Sequence, residues 1–296
     1  MSVFKPFDKF GGTTQQCVLP LVAKVEDQIY PVGTGFVLNP DGLFVTAAHV
    51  LEEAESRAVY KQNDDGELYK HYEFYAIYIG NQRNTNSESY IGGLLPIDEV
   101  WAPIDLDIGF GWLRLPRSVA DGKPIPLWPV CIRPAIPRPN AEITAMGYYK
   151  MAGSLKTNKE GIIWNHAQET AVSSGVIEEV YPVRRDQTLL SFPCFRTNAR
   201  FDPGMSGGPI FDKSGCVIGV VCSGTEIEEP HDTISHGSLI WPIFGCEIEV
   251  ACSPDVSPRR QLIYDLAKKG FVFVDETIHQ IYIAELEDGK REICIR

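Results

Sequence analysis

The stretch N-A-R-F-D-P-G-M-S-G-G-P-I-F-D-K-S-G-C-V-I-G-V-V, running from Asn198 to Val221, decides the fold class of this chain. Ser206 lies among three glycines, Gly204, Gly207 and Gly208, and is bracketed by Pro203 and Pro209. Glycine has no Cβ and accepts positive φ, so such a run suits a place where the backbone must approach another group closely. A serine held there reads as a nucleophile with loop amides aimed at a developing oxyanion. A serine on a strand-to-helix elbow would need a buried parallel strand before it and a helix after it. Here the preceding N-A-R-F-D-P is polar and proline-stopped, and the following P-I-F-D-K-S-G-C-V-I-G-V-V reads as a hairpin. The surroundings of Ser206 are those of an all-β chain.

Short β-type runs separated by turn signals extend this reading in both directions. Q-I-Y-P-V-G-T-G-F-V-L leads through the turn N-P-D-G into L-F-V-T-A-A-H-V, and Y-E-F-Y-A-I-Y-I-G, D-I-G-F-G-W-L-R-L, A-E-I-T-A-M-G-Y-Y and G-S-L-I-W-P-I-F-G follow. Helical periodicity is nearly absent before the C-terminal region, which predicts barrels or a sandwich. The segment 116–140 carries seven prolines and so lacks the amide donors of a central strand or a helix. It is predicted to connect an N-terminal lobe (1–115) to a second lobe (141–256). In the remainder, 257–296, Ser257 as N-cap, Pro258 at the first helical position and Gly270 as a stop predict a helix, with Leu262, Ile263 and Leu266 on one face. The residues beyond it read as strands turning at Asp288-Gly289, an added β-hairpin.

Composition narrows the function. The chain has 296 residues, 44% hydrophobic, with a formal charge of −12, which argues against a nucleic-acid or anionic-membrane surface built from clustered Lys and Arg. The opening M-S-V-F-K-P-F-D-K-F-G-G has no continuous apolar core of a secretory signal, and no segment reaches spanning length. The expectation is a non-secreted, cytoplasmic protein whose eight cysteines are buried thiols. Without a C-x-x-C, no metal site and no cofactor are expected.

Two further residues complete a chemical set with Ser206. His49 follows a β-branched pair in V-T-A-A-H-V, at a strand end from which a rigid scaffold can present its imidazole. Asp107 opens the apolar run D-I-G-F. A serine needs an imidazole to take its proton, and the imidazole needs a carboxylate on its other nitrogen. In the order His49, Asp107, Ser206, and in the contexts G-T-G-F, T-A-A-H-V and G-M-S-G-G-P-I-F, the chain resembles the trypsin-like (chymotrypsin-fold) serine proteases, in particular non-secreted, non-zymogen bacterial-type members, from about Val18 to about Ile248.

The resemblance implies a two-lobed double β-barrel and a serine endopeptidase acting on a protein or peptide substrate. It implies that His49 is the general base, Asp107 its orienter and Ser206 the nucleophile, with the amides of Gly204 and Ser206 as oxyanion hole. Cys222, Ser223 and Gly224 would pair with substrate backbone. Arg200, six residues before Ser206, would fall near a pocket floor and favour acidic or small side chains. Asp105 competes with Asp107 for the acid role, since residues two apart on an extended segment face the same side; the family's acid directly precedes its apolar strand, which favours Asp107. In family members activated by N-terminal trimming, an aspartate precedes the nucleophile. Met205 stands there in this chain, so no cleavage-activated precursor is expected. A catalytically silent binding module of the same fold is the alternative, and an α/β-hydrolase-type esterase a lesser one. The C-terminal segment is a possible site for a regulatory partner.

Overall fold

A computed structural model describes residues 3–7, 16–63, 65–84, 87–118, 121–158, 161–225, 234–250, 259–285 and 291–296. Two closed antiparallel barrels of six strands carry the architecture. After a first strand β1 (Val3–Phe7), the first barrel is made by β2 (Val18–Val25), β3 (Gln28–Val37), β4 (Leu43–Thr46), β7 (Glu73–Asn84), β8 (Ser87–Trp101) and β9 (Gly109–Leu113). Its order β2-β3-β4-β9-β8-β7 closes because β7 pairs back onto β2, with Leu21 opposite Ala76. A small hairpin, β5 (Val59–Gln62) and β6 (Leu68–His71), stands outside it. Closure pairs both edges of the barrel's own strands, which is how barrels avoid pairing with one another.

The second barrel uses β10 (Glu142–Asn158), β11 (Gly161–Tyr181), β12 (Cys194–Thr197), β13 (Pro209–Asp212), β14 (Val217–Thr225) and β15 (Ile234–Leu239). The order β11-β10-β13-β14-β15-β12 becomes a ring through pairing of β11 with β12, Tyr181 opposite Cys194. β1 pairs with β11 on the edge away from β10, Phe4 opposite Ser173, so it sits with the second barrel. No helix of the described residues is long and apolar enough to cross a membrane.

Most of the apolar runs identified in the sequence lie on strands, and their β-branched and aromatic content fits a pleated, buried surface, but G-S-L-I-W-P-I-F-G is strand only to Leu239 and Trp241–Gly245 is a 3-10 helix with Pro242 at its start. All four residues of β4, L-F-V-T, are buried, as are seven of the eight in β2. The proline-rich segment between the barrels hydrogen-bonds outward to its neighbours rather than forming a strand of either. Val130 N donates to the Val37 carbonyl (3.0 Å), Ile132 N to Phe273 (2.9 Å) and Arg133 N to Val217 (2.8 Å), touching the first barrel, the C-terminal segment and the second barrel in turn.

The C-terminal segment departs from expectation in two ways. The helix starts at Ile263 and ends at Lys268, because Arg259–Leu262 is a strand, β17, paired with β16 (Glu247–Val250). The tertiary pairing overrides the local helix-start signal; Ser257 and Pro258 themselves lie outside the described residues. Second, the part of the tail read as strand just after Gly270 holds only a single bridge, Val274 to Ile132, and then a 3-10 turn, Glu276–Gln280. The added hairpin is β18 (Ile281–Glu285) and β19 (Arg291–Ile295); its Asp288-Gly289 turn lies outside the described residues. The tail is part of the core. Ile248, Ile263, Leu266, Val272 and Ile281 belong to one buried cluster with Leu19, Phe36 and Phe110 of the first barrel. The Trp112 indole of β9 donates to the Glu249 carbonyl at 3.2 Å.

Arg133 fastens this arrangement. Its guanidinium reaches Asp275 of the tail at 2.5 Å and also pairs with Asp212 of β13, both carboxylates being largely buried. Replacing Arg133 by Ala leaves two half-buried carboxylates without their cation, so stability should fall by about 1–3 kcal/mol, read as a lower denaturant midpoint. Arg133→Lys should restore only part of it, since an ammonium cannot fork between two carboxylates.

Candidate active site

His49 is the second residue of the helix Ala48–Ser56, which follows directly on β4. That helix has no side-chain cap at Ala47. Asp107 supplies the missing acceptor from across the barrel: its Oδ1 receives the backbone N–H of His49 at 3.2 Å and lies 2.8 Å from His49 Nδ1, with Oδ2 at 3.1 Å from the same nitrogen. A carboxylate at a helix N-terminus is favoured by the unpaired amides there. The same carboxylate places the imidazole proton on Nδ1 and leaves Nε2 as the basic nitrogen. Asp105 lines the cleft next to His49 but makes no hydrogen bond among the described residues.

Burial alone pushes the His49 pKa down, but the Asp107 hydrogen bond, with the charges of Asp107 and Glu52, outweighs it, and the net shift is upward from 6.5. A histidine that binds its proton more tightly folded than unfolded adds stability that is complete below its unfolded pKa and vanishes as pH rises through the folded value.

Ser206 lies on the loop from β12 to β13, within a pair of tight turns. Met205 N donates to the Asp202 carbonyl (3.0 Å) and Gly208 N to the Met205 carbonyl (2.9 Å). Gly204 and Gly207 take φ of +94° and +83° at the positions of these turns where only glycine is at ease. A Cβ on Gly207 would come within 2.1 Å of the Thr34 carbonyl and 2.9 Å of Ala47 N, so the serine turn packs directly on the start of the His49 helix. The amides of Gly204 and Ser206 donate no hydrogen bond among the described residues and remain available to a ligand. Met205 is fully buried in the second-barrel core with Phe201 and Ile210. Ser206 Oγ donates to the Cys222 carbonyl at 3.3 Å, and no hydrogen bond joins it to His49 among the described residues.

Cys222 sits at a β-bulge, where the register of β14 on β15 passes from Val221 opposite Gly237 to Ser223 opposite His236. Bulges re-aim the residues they contain. Ser223 and Gly224 continue β14 and pair with β15 on that side. Arg200 is at the surface, its side chain 55% exposed and forked onto Asp202 at 2.6 and 3.0 Å. It is not among the residues lining the cleft at His49; the arginine found there is Arg185.

Sequence reasoning noticed G-T-G-F but not the work of its threonine. Thr34 N donates to the Ser206 carbonyl (2.8 Å), and its Oγ1 donates to the Gly204 carbonyl (2.8 Å) while accepting from Tyr148 N (3.0 Å). Its own carbonyl accepts from Thr46 Oγ1 at 2.7 Å. One residue of the first barrel thus holds the serine turn of the second.

A family model described as a trypsin-like peptidase domain matches residues 33–220. A comparison with curated proteins finds no match. Among solved structures the chain is similar to the MamO protease domain from Magnetospirillum magneticum in its apo form, at 13% identity over 77% of this chain and 93% of that one, with a TM-score of 0.44. It is similar to Deg5, at 18% identity over 77% and 85%, TM-score 0.45. The Rv3671c protease from M. tuberculosis, active form, matches at 18% identity over 77% of each chain, TM-score 0.43.

Replacing Thr34 by Val keeps the shape and removes the hydroxyl, stranding the buried Tyr148 amide and the part-buried Gly204 carbonyl. The expected loss is about 2–4 kcal/mol in denaturant unfolding, larger than an exposed hydroxyl would show. Thr34→Ser should recover most of it.

Proposed function

This chain belongs to the trypsin-like peptidase domain family, and from that premise we propose that it is a serine endopeptidase working through His49, Asp107 and Ser206. The observation that carries the reading is the Asp107 carboxylate, which holds both the Nδ1 and the backbone amide of His49 beside the turn that presents Ser206. Fixed in that tautomer, Nε2 accepts the serine proton as Oγ attacks a peptide carbonyl. The oxyanion that forms is received by the amides of Gly204 and Ser206, which are preorganised by the turn. His49 then returns the proton to the leaving amine, and a water activated by the same nitrogen hydrolyses the acyl-enzyme. For attack, Ser206 Oγ must leave the Cys222 carbonyl for His49 Nε2, an exchange that substrate binding would drive; catalytic hydrogen bonds often tighten only in the complex with substrate. The substrate strand would lie along Cys222 to Gly224. The zymogen question follows from Met205: a buried thioether offers no counter-charge to an ammonium, so the loop is ordered by Met205 packing and by Thr34.

A second reading, a catalytically silent binding module, is favoured by one observation, the hydrogen bond of Ser206 to Cys222 rather than to His49. The elbow of an α/β-hydrolase is not present, since Ser206 lies between strands of a closed antiparallel barrel.

A fluorophosphonate probe decides between the two. Wild-type protein should be labelled and Ser206→Ala should not, with kcat lowered on the order of 10⁴- to 10⁶-fold. Absence of labelling in folded wild type would favour the silent module. Because the working base is neutral His49 and its pKa is raised, kcat/KM should climb with pH through a midpoint above 6.5. Asp107→Asn should cut turnover by about 10⁴-fold and lower that midpoint. Asp105→Asn should change turnover by less than about 10-fold; the opposite ranking of the two variants would reassign the acid.

A further inference from the structure

A cleft of about 640 Å³ opens beside His49. Its two walls differ in charge. The first-barrel wall carries Glu52 and Asp105, and the second-barrel wall, from the segment between β11 and β12, carries Arg185. Both rims are apolar and unusually bare, Ile104 being fully exposed and Leu189 81% exposed on opposite sides. Such facing apolar lips suit a peptide lying between them.

Arg185 is held by a buried histidine. Its Nη1 lies 3.2 Å from Nε2 of His236, whose ring is buried at 5% exposure in β15. A guanidinium only donates, so Nε2 must accept and the ring must be neutral with its proton on Nδ1. Burial, with the charges of Arg185 and Arg196, lowers the His236 pKa to about 4, so this arrangement persists through neutral pH. The other charges nearby are engaged mainly with other partners. Asp186 Oδ2 forms a loose ion pair with Arg185 Nε at 3.9 Å, while its Oδ1 accepts from the amides of Thr188, Leu189 and Leu190 at 2.9, 2.7 and 3.1 Å, which holds the carboxylate on its own turn. Arg196 pairs with Glu178 and Glu179 at 3.1 and 3.8 Å. What remains in the cleft is a partly exposed guanidinium, 40% accessible, held by His236 among the residues that line it.

We propose that Arg185, positioned by His236, determines specificity by binding a substrate carboxylate, the side chain of a Glu or Asp ahead of the scissile bond. The inference rests on the endopeptidase reading for its biological meaning, but the binding chemistry is separate from Ser206. A guanidinium offers two parallel donors to a carboxylate and finds no equivalent partner in a neutral amide. Glu52 and Asp105 opposite would repel the same group from the first-barrel wall and so fix which side it enters.

The test is binding to Ser206→Ala protein, by fluorescence anisotropy, of C-amidated labelled octapeptides of alanine and leucine with one Glu or one Gln scanned through four successive positions. At one position the Glu peptide should bind about 10- to 100-fold more tightly than its Gln twin. In Arg185→Gln that ratio should collapse toward one, and in Arg185→Lys and His236→Ala it should fall part of the way. Equal or undetectable binding of the two peptides, or a ratio unchanged in Arg185→Gln, overturns the proposal. A preference appearing only for an acid-free peptide with a free C-terminal carboxylate also overturns it, because the site would then read chain ends. If the Glu preference holds while wild-type protein neither cleaves these peptides nor takes the fluorophosphonate, the carboxylate site stands and the endopeptidase reading falls.

Discussion

The hydroxyl of Thr34 is the point on which the two barrels agree. A threonine oxygen has one proton to give and room to accept, and here, with Thr34 itself fully buried, it gives to the Gly204 carbonyl and accepts from the Tyr148 amide. Each barrel could close on itself without this contact. The serine turn belongs to one barrel and the His49 helix to the other, so their spacing depends on this hydroxyl together with the Thr34 amide on the Ser206 carbonyl and the packing of Gly207 on Ala47. The neighbouring groups have the same character: Ser238 of β15 reaches the Asp107 carbonyl at 3.5 Å, and the Tyr148 hydroxyl donates to the Val18 carbonyl at 2.9 Å. Burial raises the Tyr148 pKa, which keeps that donor protonated. The site is thus assembled at a polar seam in which backbone carbonyls of one lobe are satisfied by side chains of the other.

Charge in the cleft follows an equally local logic. Asp107 acts on a helix end and on an imidazole at once, so the residue that orients His49 also fixes where its helix begins. On the opposite wall an acid, Asp186, is spent on three amides of its own turn, and its pKa is held at about 2 by them. Its other oxygen, Oδ2, stands 3.9 Å from Arg185 Nε, so Arg185 keeps only a loose ion pair on that side. A chain with net charge −12 can therefore still present a cation at the one place where its polarity matters.

Fold class was legible because it depends on pattern. Period-two runs, the clustered prolines of 116–140 and the hairpin after Ser206 each report backbone geometry directly. The triad candidates were legible for a related reason, since His49, Asp107 and Ser206 sit at strand or helix ends marked by glycine and small residues. What escaped is whatever depends on distance through space. Ser257-Pro258 is a sound local helix start, yet the next four residues pair with β16, a partner no local signal announces. Arg200 and Arg185 are both arginines upstream of Ser206, and counting residues favoured the nearer one. Which of them lines the cleft is set by how the segment before β12 lies against His236 of β15, a distance through space that no local signal in the sequence reports.

The tail's membership in the first barrel's core has a consequence for the order in which the protein can be made. Phe36 and Phe110 emerge early in synthesis, but the residues that share their cluster include Ile263, Leu266, Val272 and Ile281. With elongation of about 5–20 residues per second, the earliest strands wait on the order of ten to fifty seconds for partners more than two hundred residues away. Closing loops of that length is slow, and during the interval the early strands expose apolar surface that any holding chaperone would recognise. The barrel translated first is the one finished last.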